Sequence, residues 1–107
     1  MSKQIVFDYD GKTFTLEFTR KSVKKMESRG FVLSEIEAKP MTRIPELFAG
    51  AFIANHNGIA PDTIDGIYEK FEDKDSLIGA LGEMYADTIN TLTDAPEKNG
   101  ISWKKSW

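Results

Sequence analysis

The sequence predicts an α+β fold in which an N-terminal β-hairpin packs on a bundle of three to four helices. Three observations carry this prediction. Near the start, apolar and polar residues alternate with a period of two on either side of an Asp10-Gly11 pair. Beyond residue 19 the apolar residues recur at helical spacing, with capping residues and prolines at the boundaries. The length, 107 residues, fits one domain with its own core.

The hairpin comes first. Ile5, Phe7 and Tyr9 share one parity, and Phe14, Leu16 and Phe18 share another, as half-buried strands require. Strands are expected over 3–9 and 13–18, joined through Asp10-Gly11, a pair that accepts the positive φ angles of a tight turn. Thr19 then reads as an N-cap, with Phe18 and Val23 spaced as a hydrophobic staple. The first helix should run to Arg29 and stop at Gly30 in a left-handed conformation, with Phe31 folding back onto the last turn. Only Val23 and Met26 are strongly apolar within it. Its other side is either solvated or covered by a partner.

Ser34-Glu35-Ile36-Glu37 reads as a short helical turn interrupted by Lys39-Pro40. A second helix is expected from about Thr42 to Asn57-Gly58, with Pro45 in its first turn. Its apolar stripe is Ile44, Leu47, Phe48, Ala51 and Phe52, and Gly50 with its neighbouring alanines lets another element approach closely. Pro61-Asp62 opens a third helix with Ile64, Ile67, Tyr68 and Phe71 on one face. Asp73 or Asp75 begins the longest helix, whose stripe is Leu77, Ile78, Leu81, Met84, Tyr85, Ile89 and Leu92. Asp94-Ala95-Pro96 ends it. The chain thus divides into a hairpin-plus-helices domain over 1–94 and a tail over 95–107.

The tail holds both tryptophans. Ile101 and Trp103 alternate, so they fit a short strand laid on the hairpin's free edge. Equally, Ile101, Trp103 and Trp107 fit a hook for a partner, since tryptophan is enriched among interface hot spots. The two readings are compatible, because an edge strand can be donated between subunits.

Chemistry is hard to find in this chain. Hydrophobic residues at 40% and charged residues at 29% are ordinary for a globular protein and exclude disorder throughout. The absence of cysteine removes disulfides, thiolate metal sites and cysteine nucleophiles. Gly11-Lys12-Thr13 resembles the end of a phosphate loop, but position 6 is Val6 rather than glycine and the triplet lies in a hairpin turn. His56 is the only histidine, so no histidine cluster can bind a metal, and its place near a helix end suits a structural role. The serines lack a neighbouring base or nucleophile elbow. The acids from Asp62 to Asp75 do not alternate as a calcium loop demands. The expectation is a protein that binds without catalysing, with no cofactor and no metal. No apolar run approaches the ~20 residues of a membrane span, and the start lacks a signal-peptide core, which points to a cytoplasmic location.

The net charge of −3 is unevenly spread. Arg20, Lys21, Lys24, Lys25 and Arg29 face one acid, Glu27, in the first helix, whereas ten acids meet only Lys70 and Lys74 between Asp62 and Glu97. Nucleic acid is a poor fit for a net acidic chain whose local aromatics are placed for the core. Contacts between copies fit better, with Arg20, Lys21, Lys24 and Lys25 meeting Asp65, Glu69 and Glu72 head to tail.

A family resemblance adds to this. Ile5-Val6-Phe7-Asp8-Tyr9-Asp10-Gly11-Lys12, the run from Leu16 to Glu27, the block from Lys39 to Phe52, Leu77-Ile78 through Glu83-Met84-Tyr85 and the tryptophan-ended tail resemble small tail assembly chaperone-like proteins. These are encoded in long-tailed, siphovirus-type phages and prophages of Gram-positive bacteria. The resemblance spans nearly the whole chain and is a pattern of core and turn residues, not a catalytic signature. It implies a non-enzymatic protein of the host bacterial cytoplasm that binds the tape measure protein and tail-tube subunits. It further implies a longer form made by a ribosomal frameshift, for which Lys104-Lys105 marks a candidate slippery site. Phe48, Phe52, Ile101, Trp103 and Trp107 are the expected partner-binding residues, the first two if part of their stripe is left exposed. A structural virion component of the tail or head–tail connector, and a nucleic-acid-binding regulator using the basic helix, are the alternatives.

Overall fold

The structure, a computed structural model, describes residues 3–107. Strands β1 (Ile5–Tyr9) and β2 (Lys12–Leu16) pair antiparallel with Tyr9 opposite Lys12. The two residues left between them, Asp10 and Gly11, have φ of 53° and 76°, as the primed turn of a two-residue hairpin requires. β2 is shorter than its alternation suggested. After Leu16 the Glu17 N–H donates to the Ala51 carbonyl, so Phe18 reaches the core from outside the ladder.

Helix α1 (Arg20–Ser28) starts as its sequence dictates. The Thr19 hydroxyl accepts from the Ser22 N–H at 3.0 Å, and the Thr19 N–H donates back to the Ser22 hydroxyl at 2.9 Å. This is a capping box with serine in place of the usual Glu or Gln. Phe18 and Val23, the staple pair, are both buried. At the other end Gly30 takes φ 94°, its N–H bonds the Glu27 carbonyl, and the Phe31 N–H bonds the Met26 carbonyl. These are the two bonds of a Schellman motif, completed by burial of Phe31 and Met26.

A 3-10 turn at Leu33–Glu35 leads to α2 (Pro40–Gly50), which begins two residues before the expected Thr42. Pro40, read in sequence as an interruption, occupies the first turn, where a missing N–H costs nothing. Pro45 therefore lies inside the helix and leaves the Met41 carbonyl without its intrahelical donor. Met41 is 89% exposed, so water is available to that end of the helix. α2 ends at Gly50, and turns carry the chain past Asn57-Gly58. Gly50 is buried with the Met26 side chain packed where a Cβ would stand, which is the close approach expected there.

Helices α3 (Pro61–Lys70) and α4 (Lys74–Asn90) complete the bundle. Asp73 caps α4, accepting from the Ser76 N–H and hydroxyl. A 3-10 turn, Thr91–Thr93, follows. The α4 stripe is buried only at Leu77, Leu81, Met84 and Tyr85, and Ile89 and Leu92 are exposed at 39% and 69%. Periodicity continues past the point where α1 and α2 cover the helix.

The core is aromatic. Phe7, Phe14, Phe48, Phe52 and Phe71 meet mostly edge to face, and Tyr85 receives Phe18 and Phe31 the same way. The radius of gyration, 16.2 Å, exceeds the roughly 13 Å of a compact chain this long, because the tail projects. The sheet has two strands, and the tail adds none to it. Among the described residues no helix is long and apolar enough to cross a membrane.

Candidate protein-binding surfaces

Phe48 and Phe52 do not form a surface. Each is 1% exposed, held among Phe7, Phe14, Tyr68 and Phe71, so the condition for their binding a partner fails. Helical spacing placed them on one face correctly, but that face is the core. The tail is the reverse: Ile101, Trp103 and Trp107 are 91%, 81% and 92% exposed. Lys105 lies 5.6 Å over the Trp107 ring, a cation–π contact local to the tail.

The charged helices are displayed to solvent. Lys21 and Lys24 are exposed and Lys25 is half-buried, while Asp65, Glu69 and Glu72 are exposed on α3 and just beyond it. None of these six forms a salt bridge with a described residue. Arg20 differs. Its guanidinium donates to the Thr91 hydroxyl at 2.9 Å and to the Thr91 carbonyl, tying the start of α1 to the end of α4. It is the member of the basic group with a structural task.

Arg43 is the organising charge of the opposite region. It meets Glu35 and Glu46, each at 2.7 Å, with its own side chain only 15% exposed. The hydrogen bond from Arg43 holds the Glu35 carboxyl below its ordinary range, and the two carboxylates raise Arg43 in turn. The pair joins the 3-10 turn to α2.

His56 has a backbone partner. Its Nε2 accepts from the Thr15 N–H at 2.9 Å, and its ring leans on Phe14 and Phe52. Asn55 donates to the Thr15 carbonyl at 3.2 Å. With the Glu17–Ala51 bond, these contacts cover the outer edge of β2. Among the described residues nothing covers the outer edge of β1, so the free edge expected of the hairpin belongs to this strand. Its trace in the sequence is Val6, an apolar residue at an outward-facing parity, 60% exposed.

Clefts on the described residues include two that bear on these surfaces. One, of about 360 Å³, lies between α1, α2 and the start of α3, with Met26, Phe31, Ile53 and Ile64 among its apolar walls and Arg29 and Glu46 at its polar positions. Its volume is at the small end of ligand pockets. The other, about 870 Å³ and more polar, opens where the tail leaves the body, between Lys3, Arg20, Leu92 and Pro96. Among the described residues no group of three His, Asp or Glu side chains converges as metal ligands would.

Neither the curated proteins nor the solved structures contain a match to this chain. The model of one family, described as Domain of unknown function (DUF5055), matches residues 1–107, and the protein belongs to that family.

Proposed function

We propose that this protein is a phage tail assembly chaperone-like factor that binds the tape measure protein and tail-tube subunits in the host bacterial cytoplasm, without catalysis. The observation that carries the reading is the tail: Ile101, Trp103 and Trp107 are held in water on a body whose aromatic core is already closed. Exposing two indoles costs a protein solubility, and a partner that buries them gives the arrangement a purpose. The resemblance along the hairpin, α1, α2, α4 and the tail points to a tape measure protein as that partner. The unpaired basic and acidic faces of α1 and α3 suit repeated contacts along an extended ligand.

The experiment is co-purification of the chain with a tape measure protein from the same phage or prophage. Capture that drops at least tenfold in a Trp103→Ala, Trp107→Ala variant, with an unchanged circular-dichroism spectrum, is the expected outcome. Capture that ignores both substitutions removes the tail from the site. A virion component would instead be recovered in purified particles, which a chaperone should leave.

A further inference from the structure

We propose that the open edge of β1 is completed by residues 101–107 of a second copy of this chain, donated as a third strand. The hairpin's hydrogen-bond pattern fixes which backbone groups face outward. Tyr9 and Lys12 close a two-residue turn and exchange both backbone bonds, so the pairs Phe7–Phe14 and Ile5–Leu16 do the same. The N–H and C=O groups of Val6 and Asp8 on β1, and of Thr13 and Thr15 on β2, therefore point outward. Thr15 is served by His56 and Asn55. No described residue serves the backbone of Val6 or Asp8.

Burial agrees with an absent neighbour. On the core face of the hairpin, Phe14 and Leu16 of β2 are buried, whereas Ile5, Phe7 and Tyr9 of β1 are only half-buried. A strand beside β1 would cover the exposed flank of all three. The same chain carries a segment of the matching chemistry. Ile101, Trp103, Lys105 and Trp107 share one parity, and Ser102, Lys104 and Ser106 share the other. Laid on β1 with Ile101 and Trp103 toward the core face, the segment puts Lys104 on the face that carries Asp8. The charge of that pair is complementary, since the segment 101–107 carries Lys104 and Lys105 and no acid, and Asp8 stands on β1.

The donor is a second copy because the tail projects from its own body. Its residues 101–107 are all exposed and the sheet has two strands, so within one copy the segment and the edge do not meet. Main-chain bonds then supply affinity and the alternating Ile and Trp supply register. This assignment is tested on the purified chain alone, so its failure is separate from failure of the partner proposed above.

Sedimentation of the full chain across a concentration series, with amide exchange followed by NMR, is the test. The expected result is a concentration-dependent oligomer in which the Val6 and Asp8 amides become protected. Trp103→Ala, which alters only an exposed side chain, should weaken association at least tenfold. Val6→Pro removes an outward N–H without touching the hairpin ladder and should do the same, with its fold checked by circular dichroism. A chain that stays monomeric throughout overturns the proposal. So does an oligomer indifferent to Trp103→Ala, or protection of Val6 and Asp8 in the monomer, which would mean the tail has docked on its own edge.

Discussion

Gly50 and Met26 share a space that only one side chain can fill. The glycine is buried in α2, and the thioether of Met26 from α1 lies where a Cβ would stand. Gly50→Ala is therefore expected to destabilise, by about 1–3 kcal/mol through overpacking, despite alanine's better helix propensity. Urea denaturation measures it, and the double variant Gly50→Ala, Met26→Ala should lose less than the sum of the two single losses, because the residues compete for one space. Glu35 makes a pH-dependent contribution. Its carboxyl is held below the usual range by the Arg43 hydrogen bond, so its stabilisation is present above that range and lost as pH falls through the depressed value. The melting-temperature gap between the wild type and Glu35→Gln should be widest near neutral pH and narrow only as pH falls below the ordinary glutamate range. Thr19, Gly30 and Phe31 were readable from residue identity, because caps use few residue types at fixed offsets. His56 was less so. Its neighbourhood to a helix end was visible, but its bond to Thr15, 41 residues away, depends on tertiary packing.

Among the elements, the hairpin was the most legible, since a period of two and a two-residue turn leave one register. Helix boundaries were less so. Lys39-Pro40 signals an interruption and a helix start alike, and only the conformation of the chain before it decides between them. The apolar stripe of α4 named Ile89 and Leu92 as core, yet periodicity describes a face and not how far its neighbours extend. The same reasoning explains Phe48 and Phe52, whose side was foreseen and whose exposure was left conditional. The end of α4 is instead secured by Arg20 on Thr91, a bond from a residue that sequence assigned to a charged surface. Arg20→Ala should speed amide exchange around Thr91–Thr93 by several-fold while leaving the global unfolding midpoint nearly unchanged, because no core side chain moves.

At the scale of the whole molecule, the body and the tail obey different rules. The body closes an aromatic core around α4 and seals one edge of its sheet. The tail leaves its apolar residues in water, and composition alone cannot distinguish a docked tryptophan from a free one. That choice rests on whether the body offers a place to put it, and within one copy the vacant place is the edge of β1.

Both indoles of the chain belong to the tail, at Trp103 and Trp107, and both are exposed. Tryptophan fluorescence in this protein is consequently silent about folding. The emission of the native monomer should already be that of an indole in water, and denaturant should barely move it while circular dichroism records the loss of the helices. A shift to shorter wavelength would mean that something has closed over the tail. The two exposed indoles thus serve as a built-in optical probe of any surface that closes over them.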